Sequence, residues 1–220
     1  MISDDGSCGR DSGSTDANSP ESAQMNTISL HSFGDSCDND DVFTIKIIES
    51  MREEYGMFVW PCSVILAEYV SQNKSRFCGT SVLELGAGTS LPGLVAAKVG
   101  ADVTLTDNAD RVEVKGLTWG VWDTLMFDLH PQILLGADVL YDSNAFDDLF
   151  STVAFLLEST PGSIFITTYH NRSGHHLIEF LMFKWGLKCL KLVDGFSFMP
   201  PDKASGLGGN IQLAEIVLDS

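Results

Sequence analysis

The chain has 220 residues, enough for one domain with a full core, and its 30 acidic against 13 basic side chains give a formal net charge of −17. A surface this acidic repels nucleic acid and anionic membranes, so we expect neither as a partner, and it attracts basic proteins or peptides. The N-terminus lacks the pattern of a signal peptide, and no apolar run reaches the ~18 residues that a membrane span needs.

The cysteines and histidines show no recognisable disulfide or metal pattern. Five cysteines are scattered without a CxxC pair, as in proteins kept reduced inside the cell, so we expect a cytoplasmic protein, a nuclear protein or one found in both places. The histidines, His170 among them, show no metal-ligand spacing with acidic residues, and Cys62 has no recognisable base partner. We therefore predict no metal site and no nucleophilic catalysis.

Residues 1–41 are predicted to form a disordered acidic tail. They are rich in Ser, Asp, Gly and Asn, and they hold nine acidic residues against Arg10. With few large apolar groups, such a segment cannot bury enough surface to offset its ordering entropy. We expect residues 42–220 to form a single domain.

The domain begins with a predicted hairpin and helix. Residues 42–48 alternate apolar and polar side chains as a strand does, and residues 56–60 are expected to pair with them. Pro61 suits the first turn of a helix. Residues 82–93 then contain an apolar strand, a tight glycine turn and a helix start, and residues 101–107 form the next strand.

The rest of the chain continues this alternation. Later strands are predicted at residues 112–117, 133–139, 163–169, 187–193 and 211–218, and later helices at residues 144–157 and 175–185. Strands alternating with helices are typical of an α/β fold with a mostly parallel sheet covered on both faces. The last two strands have no helix between them, so we expect an antiparallel edge.

One connection breaks the pattern. Only four residues separate Asp107 from Val112, whereas a parallel crossover needs roughly ten or more, normally including a helix. Either the strand at 112–117 pairs antiparallel through a tight turn, or the crossover helix is missing and this edge of the sheet is distorted. A truncated or alternatively spliced version of a longer chain would have this feature.

The glycine turn is the first candidate ligand site. Gly86 and Gly88 permit positive φ and let a ligand lie against the backbone, although a plain strand-to-helix turn would use the same residues. Glu84 lies two residues before Gly86. A carboxylate near the turn disfavours a pyrophosphate and favours a ligand that carries an ammonium and a sulfonium.

Two further acids follow later strands. Asp107 can accept hydrogen bonds from both hydroxyls of a ribose, or it can cap a turn. Asp138 and Tyr141 lie at the end of the strand at 133–139, at the edge of the sheet where ligands bind in α/β proteins, and they could hold a substrate nitrogen. Considered alone, Asp138 is equally suited to cap a helix and Tyr141 to pack in the core.

Two tryptophans complete the candidate set. The indoles of Trp60 and Trp119 offer flat apolar faces for an adenine or a sulfonium. Without the neighbouring motifs, partly buried core aromatics would be the simpler interpretation of both.

Together these motifs resemble the seven-strand S-adenosylmethionine methyltransferases, and more narrowly the family 16 protein methyltransferases with a D-x-x-Y motif. The resemblance rests on Glu84-Leu-Gly-Ala-Gly88, Asp107, Leu117-Thr-Trp-Gly120 and Asp138-Val-Leu-Tyr141. It implies a Rossmann-like methyltransferase domain over residues 42–220.

The resemblance also implies roles for individual residues. S-adenosyl-L-methionine would lie along Gly86, Ala87 and Gly88, with its ribose at Asp107. Other cofactor contacts would come from Trp60, Trp119 and Ala137, while Glu84 would hold the turn and, indirectly, the amino group of the cofactor. Asp138 and Tyr141 would be catalytic and face the substrate nitrogen.

The expected activity is transfer of a methyl group to an arginine or lysine nitrogen of a basic, histone-like protein, by a monomeric enzyme. The short connection after Asp107 motivates one alternative, a catalytically impaired or non-catalytic binding protein with the same fold. A small-molecule methyltransferase is the other alternative.

Overall fold

The computed structural model describes residues 26–34, 42–50, 58–107, 115–171 and 175–219. The strands in these ranges are β1 (Asn26–Phe33), β2 (Phe43–Ser50), β3 (Ser81–Glu84), β4 (Asp102–Asp107), β5 (Lys115–Gly116), β6 (Ile133–Ala137), β7 (Ile164–His170), β8 (Leu187–Asp194) and β9 (Ile211–Leu218). The helices are α1 (Pro61–Gln72), α2 (Lys74–Phe77), α3 (Leu91–Lys98), α4 (Thr124–Phe127), α5 (Phe146–Ser159), α6 (His175–Lys184) and α7 (Pro201–Ala204).

Strands β3 to β9 form one sheet in the order β5-β4-β3-β6-β7-β9-β8. Neighbouring strands from β5 to β7 in this order run parallel, and β9 runs antiparallel to both β7 and β8. The predicted α/β fold, with a mostly parallel sheet and an antiparallel edge, is therefore confirmed.

The sheet is buried on both faces because its strand residues alternate between two cores. Leu83 and Leu134 point into one core, which α5 fills with Phe150. Val82 and Leu135 point into the other, which lies against α1 and α3. With both faces covered, ligands can reach the sheet at its edges and at the ends of its strands.

The predicted pairing of residues 42–48 with residues 56–60 is wrong. Strand β2 pairs with β1, over a register that runs from Asn26 opposite Ser50 to Phe33 opposite Phe43. This pairing buries Phe33 to 2% exposure against the core beside α1 and α3, which a polar tail could not do. Val59 forms no strand, and its amide instead donates to the Glu49 carboxylate at 3.0 Å.

The predicted disordered tail must accordingly be shortened, since β1 falls inside it. The apolar side chains of β1 are few, but its pairing with β2 and the buried Phe33 attach it to the rest of the structure. The rest of the predicted tail, residues 1–25 and 35–41, lies outside the described residues. None of the described helices is long and apolar enough to cross a membrane.

Strand β5 corrects a second expectation. Thr106 pairs with Lys115 and Asp107 with Gly116 in parallel register, so the antiparallel alternative is wrong. The described pairing spans two residues and borders residues outside the described ranges, so the expected distortion of this edge stays a prediction. The proposed absence of a crossover helix concerns residues 108–114, which lie outside the described ranges.

Candidate functional site

The turn after β3 brings bare backbone to the edge of a cavity. Gly86 and Gly88 have φ values of +58° and +51°, in the left-handed region that favours glycine. A Cβ at Gly86 would lie 3.1 Å from Val139 Cγ1 and 3.3 Å from Trp119 Cζ2. The turn therefore requires glycine at position 86 both for its conformation and for its packing.

The acid at the end of β4 is tied to this turn. Asp107 Oδ2 accepts a hydrogen bond from the Gly88 amide at 2.8 Å. Strands β3 and β4 are parallel neighbours, so their carboxyl ends meet at one edge of the sheet. The hydrogen bond holds the Asp107 carboxylate beside the exposed backbone of the turn, where a ribose-binding acid is predicted.

Glu84 lies on the core side of the glycine turn and not in the cavity, so its predicted role in cofactor binding could only be an indirect one and stays a prediction. Its side chain is 1% exposed and is absent from the described lining of the cavity, and its Oε2 accepts a hydrogen bond from the Gly93 amide at 3.0 Å. Burial raises the pKa of Glu84 to about 8, against the opposing effect of the Gly93 amide and with a further increase from the charge of Asp107. At pH 7 this carboxyl is mostly protonated, so it supplies no negative charge to the cavity.

The start of α3 also departs from ordinary helix geometry. Ser90, the residue before the helix, has a φ of +58°. This is the left-handed region, which costs a residue with a side chain about 1 kcal/mol or more.

Asp138 lies directly after β6 and has a φ of +55°, which is uncommon for a residue with a side chain. Its amide donates to the Thr168 carbonyl of β7 at 2.8 Å. Its Oδ1 is buried and has no hydrogen-bond partner in the part of the chain that the structure describes. Leaving a buried carboxylate oxygen unpaired is costly, so this atom is suited to accept a hydrogen bond from a ligand.

A cavity of about 460 Å³ joins these groups, within the ~300–1,000 Å³ that is typical of small-molecule sites. All the predicted site residues except Glu84 line it: Trp60, Gly86, Ala87, Gly88, Asp107, Trp119, Ala137, Asp138 and Tyr141. Tyr141 is 58% exposed, so its phenol is accessible from solvent. The structure thus brings the predicted residues together, while their contact with a cofactor or substrate stays a prediction.

Several lining residues were missed from the sequence: Phe58, Ser63, Thr89, Thr118 and Asp148. Thr89 and Thr118 directly follow or precede predicted residues and could have been found by extending the motifs. Asp148 has no such signal, because it lies on α5, outside the motifs that predicted the other residues. It packs so closely on Gly120 that a Cβ there would lie 2.5 Å from its Oδ1.

The cavity is electrostatically suited to a cation. Three carboxylates line it, those of Asp107, Asp138 and Asp148, and no lysine or arginine occurs among its described lining residues. Phosphate groups are normally held by such basic side chains, so a phosphate ligand would meet repulsion here. The predicted preference for a cation therefore has a physical basis, although it comes from these three aspartates and not from Glu84.

These features fit S-adenosyl-L-methionine, which carries an ammonium and a sulfonium. The bare turn at Gly86 and Gly88 would accommodate the methionine part, and Asp107 would bind the ribose. The indoles of Trp60 and Trp119 would border the adenine and the sulfonium. The acidic lining would stabilise both positive charges.

A family model described as lysine methyltransferase matches the chain over residues 39–115 and 108–182. The two matched stretches overlap at residues 108–115, the connection between β4 and β5. The family model is thus matched in two parts that divide where the sequence predicts a missing crossover helix.

Two curated relatives illustrate the range of named activities. Histone-arginine methyltransferase METTL23 of Xenopus laevis is 42% identical over 164 residues, which cover 66% of this chain and 70% of that protein. Protein N-lysine methyltransferase METTL21A of Mus musculus is 36% identical over 137 residues, which cover 51% of this chain and 61% of that protein.

Among solved structures, the CcbJ methyltransferase from Streptomyces caelestis has a TM-score of 0.55 at 11% sequence identity. The comparison covers 77% of this chain and 94% of that one. At this identity the likeness shows a shared fold only.

Proposed function

Because this chain belongs to the lysine methyltransferase family, we propose that it transfers a methyl group from S-adenosyl-L-methionine to a side-chain nitrogen of a protein. Family membership makes it an S-adenosylmethionine-dependent methyltransferase. The acceptor nitrogen belongs to an arginine or a lysine. A histone is the first substrate to test, since similar proteins are named histone-arginine and protein N-lysine methyltransferases.

The observation that carries the proposal is the unpartnered Oδ1 of Asp138 in an acidic cavity. This oxygen is buried beside the glycine turn, within a lining that lacks basic side chains among its described residues. A guanidinium or ammonium group supplies the N–H donor and the positive charge that this oxygen lacks. The net charge of −17 would favour a basic protein at longer range.

Each side chain has a definite part in the mechanism. When bound, the cofactor supplies an electrophilic methyl group with its leaving group already in place. The Asp138 carboxylate accepts a hydrogen bond from the substrate nitrogen and directs its lone pair toward the turn, and the Tyr141 hydroxyl fixes its orientation. The nitrogen loses a proton when the N–C bond forms, and Asp138 is placed to accept it. Most of the acceleration comes from proximity and electrostatics.

The test has two steps. Calorimetry measures the binding of S-adenosyl-L-methionine to the full chain, and incubation with methyl-labelled cofactor and histone octamers measures transfer. Mass spectrometry of the labelled histone then identifies the modified nitrogen. We expect cofactor binding in both the parent chain and Asp138→Asn, with label transferred to arginine or lysine only by the parent.

The two alternatives give different results. Absence of cofactor binding at millimolar concentration would support a non-catalytic binding protein and overturn the proposal. Binding followed by label in metabolites of a cell lysate, and not in protein, would indicate a small-molecule methyltransferase.

We also propose that the enzyme acts as a monomer in the cytoplasm, the nucleus or both, without direct binding to nucleic acid. The acidic surface and the scattered cysteines support this proposal. Light scattering of the purified chain, fluorescence imaging of a tagged chain and a gel-shift assay would test its three parts.

A further inference from the structure

Three potential metal ligands converge at Asp138. The thiol of Cys62, a carboxylate oxygen of Asp138 and a ring nitrogen of His170 lie within 4.8 Å of one another. Cys62 is fully buried, at 0% exposure, and the other two side chains are partly buried. Thiolate, carboxylate and imidazole are the three ligand types that zinc binds in proteins.

The fold holds these side chains from three separate elements. Cys62 is the second residue of α1, Asp138 follows β6, and His170 ends β7. Thr168 connects the first two, since its Oγ1 donates to the Cys62 carbonyl at 2.8 Å and its carbonyl accepts from the Asp138 amide at 2.8 Å. His170 is two residues further along β7 and therefore lies on the same face of the strand as Thr168.

The ring of His170 is packed in place as well. A Cβ at Gly209 would lie 2.8 Å from His170 Nδ1, so only glycine allows the backbone to come this close to the imidazole. The backbone at Gly209 therefore lies against one edge of the imidazole and limits its movement on that side. A ligand group whose position is fixed in advance loses less entropy when it binds a metal.

We propose that Cys62, Asp138 and His170 form a binding site for a divalent cation of the zinc class. Ligand atoms around a tetrahedral zinc lie about 3.5 Å apart, so atoms within 4.8 Å of one another reach that arrangement by small side-chain rotations. Thiolate ligation disfavours magnesium and calcium, which prefer oxygen. Three protein ligands would leave a fourth position for water, and one of the three, Asp138, also borders the cavity.

The unpartnered Asp138 Oδ1 is an independent reason to expect a ligand at this point. A cation would satisfy that oxygen, and binding would release the thiol proton of Cys62 to solvent. The position of Cys62 in the first turn of α1 favours the resulting thiolate, because helix N-termini stabilise negative charge. The sequence gives no metal spacing because the three ligands come together only through the fold.

Metal binding would have a consequence for catalysis, which rests on the function proposed above. The same carboxylate that is proposed to hold the substrate nitrogen would be engaged by the cation. The metal would therefore compete with the protein substrate. It would not compete with the cofactor, whose proposed contacts are at Gly86, Gly88 and Asp107. Zinc would then act as a reversible inhibitor.

The direct test uses Co²⁺ as a spectroscopic probe of the full reduced chain, with no substrate or cofactor present. We expect one equivalent to bind and to give a thiolate-to-cobalt charge-transfer band. Cys62→Ser should abolish the band. Both Cys62→Ser and His170→Asn should weaken Co²⁺ binding about 100-fold or more, because even residues that only support the ligands contribute 10- to 100-fold to metal affinity. Cys189→Ser and His176→Asn, at exposed positions, are the matched controls and should bind as the parent does.

The proposal is overturned if the parent chain binds no cobalt, if the band survives in Cys62→Ser, or if the control variants lose binding equally. If circular dichroism shows that Cys62→Ser does not fold, the loss of Co²⁺ binding in His170→Asn becomes the test. The His170 side chain is not fully buried, so we expect that variant to fold. Binding of metal does not depend on methyl transfer, so these results stand whether or not the proposed function is correct.

A second measurement tests the consequence for catalysis. Stoichiometric Zn²⁺ should inhibit methylation of histone, a chelator should restore it, and inhibition should diminish as the histone concentration rises. His170→Asn should need about 100-fold more zinc for the same inhibition. If metal bound without inhibiting methylation, the metal site would be confirmed, but Asp138 would not be the group that holds the substrate nitrogen.

Discussion

The buried carboxyl of Glu84 accepts a hydrogen bond from the Gly93 amide, with 3.0 Å between Glu84 Oε2 and the nitrogen. This contact ties the end of β3 to the first turn of α3, on either side of the glycine turn. Gly93 is required for it, because a Cβ there would collide with Glu84 Oε2 and lie 2.5 Å from Leu105 Cδ2. The turn is thus supported from the core side by a group that the cavity does not contact.

Glu84→Gln should flatten the pH dependence of stability. Burial raises the pKa of Glu84 from its usual 4.5 to about 8, so the folded chain holds the proton more tightly than the unfolded chain. The associated stability is complete below about pH 4.5 and is lost as the pH rises through about 8. The variant keeps an acceptor for the Gly93 amide but has no proton to lose.

Urea unfolding between pH 5 and pH 8 measures this effect. Each unit of pKa shift corresponds to about 1.4 kcal/mol, so the free energy of unfolding of the parent chain should fall clearly more over this range than that of Glu84→Gln. Equal slopes in the two proteins would show that Glu84 titrates normally.

Gly86→Ala should weaken cofactor binding, whereas Gly79→Ala should not. Both positions have positive φ, so both variants should lose about 1–2 kcal/mol of stability. Only at position 86 would the new methyl group contact Val139 and Trp119 at the cavity, while Gly79 has nothing within 4 Å of the added Cβ. We expect a loss of affinity of about tenfold or more, equal to 1.4 kcal/mol, for Gly86→Ala alone.

Calorimetry with S-adenosyl-L-methionine provides the comparison, at a temperature where both variants are folded. If both lost affinity equally, the loss would reflect general instability and not the close approach of a ligand.

Asp107→Ala should reduce cofactor affinity by about 10- to 100-fold, as expected when one or two hydrogen bonds to a charged group are removed. The variant also frees the Gly88 amide, which Asp107 binds at 2.8 Å. Asp102→Ala, at an exposed position at the other end of β4, is the matched control and should bind normally. Equal affinity in the two variants would contradict the assignment of Asp107 to the ribose.

Tyr141→Phe should slow methyl transfer without weakening cofactor binding. Tyr141 is 58% exposed, so loss of its hydroxyl should change stability by no more than about 0.5 kcal/mol. Removal of one orienting hydrogen bond should lower kcat by about tenfold. Single-turnover assays with labelled cofactor give the rate, and a variant with a normal kcat and a raised Kd for the cofactor would assign Tyr141 to cofactor binding instead.

The sequence predicts the centre of the fold well because the signals there are local. A ligand-binding turn is indicated by an apolar strand, two glycines and an acid at the end of the next strand. These signals need no knowledge of distant neighbours, so they identified Gly86, Gly88 and Asp107. Asp138 was found for a related reason, because carboxyl ends of parallel strands meet at one edge of a sheet. All four residues line the same cavity.

Properties that depend on distant neighbours were missed. Strand β1 has a polar composition, and only its pairing with β2 and the burial of Phe33 give it order. The acidic position of Glu84 was recognised, but its protonation depends on complete burial, which spacing alone does not reveal. Cys62 and His170 approach each other only because α1 and β7 converge at the end of β6.

The outer strands of the large sheet also determine whether another molecule can add a strand to its edges. At one edge, the described part of β5 is Lys115–Gly116, and the residues directly before it lie outside the described ranges. Strand β8 is longer, but its register shifts between Cys189 and Lys191, and Lys188 and Lys191 add charge along it. Irregular or charged edges oppose strand addition, so the sheet is protected at its β8 edge against growth into fibrils.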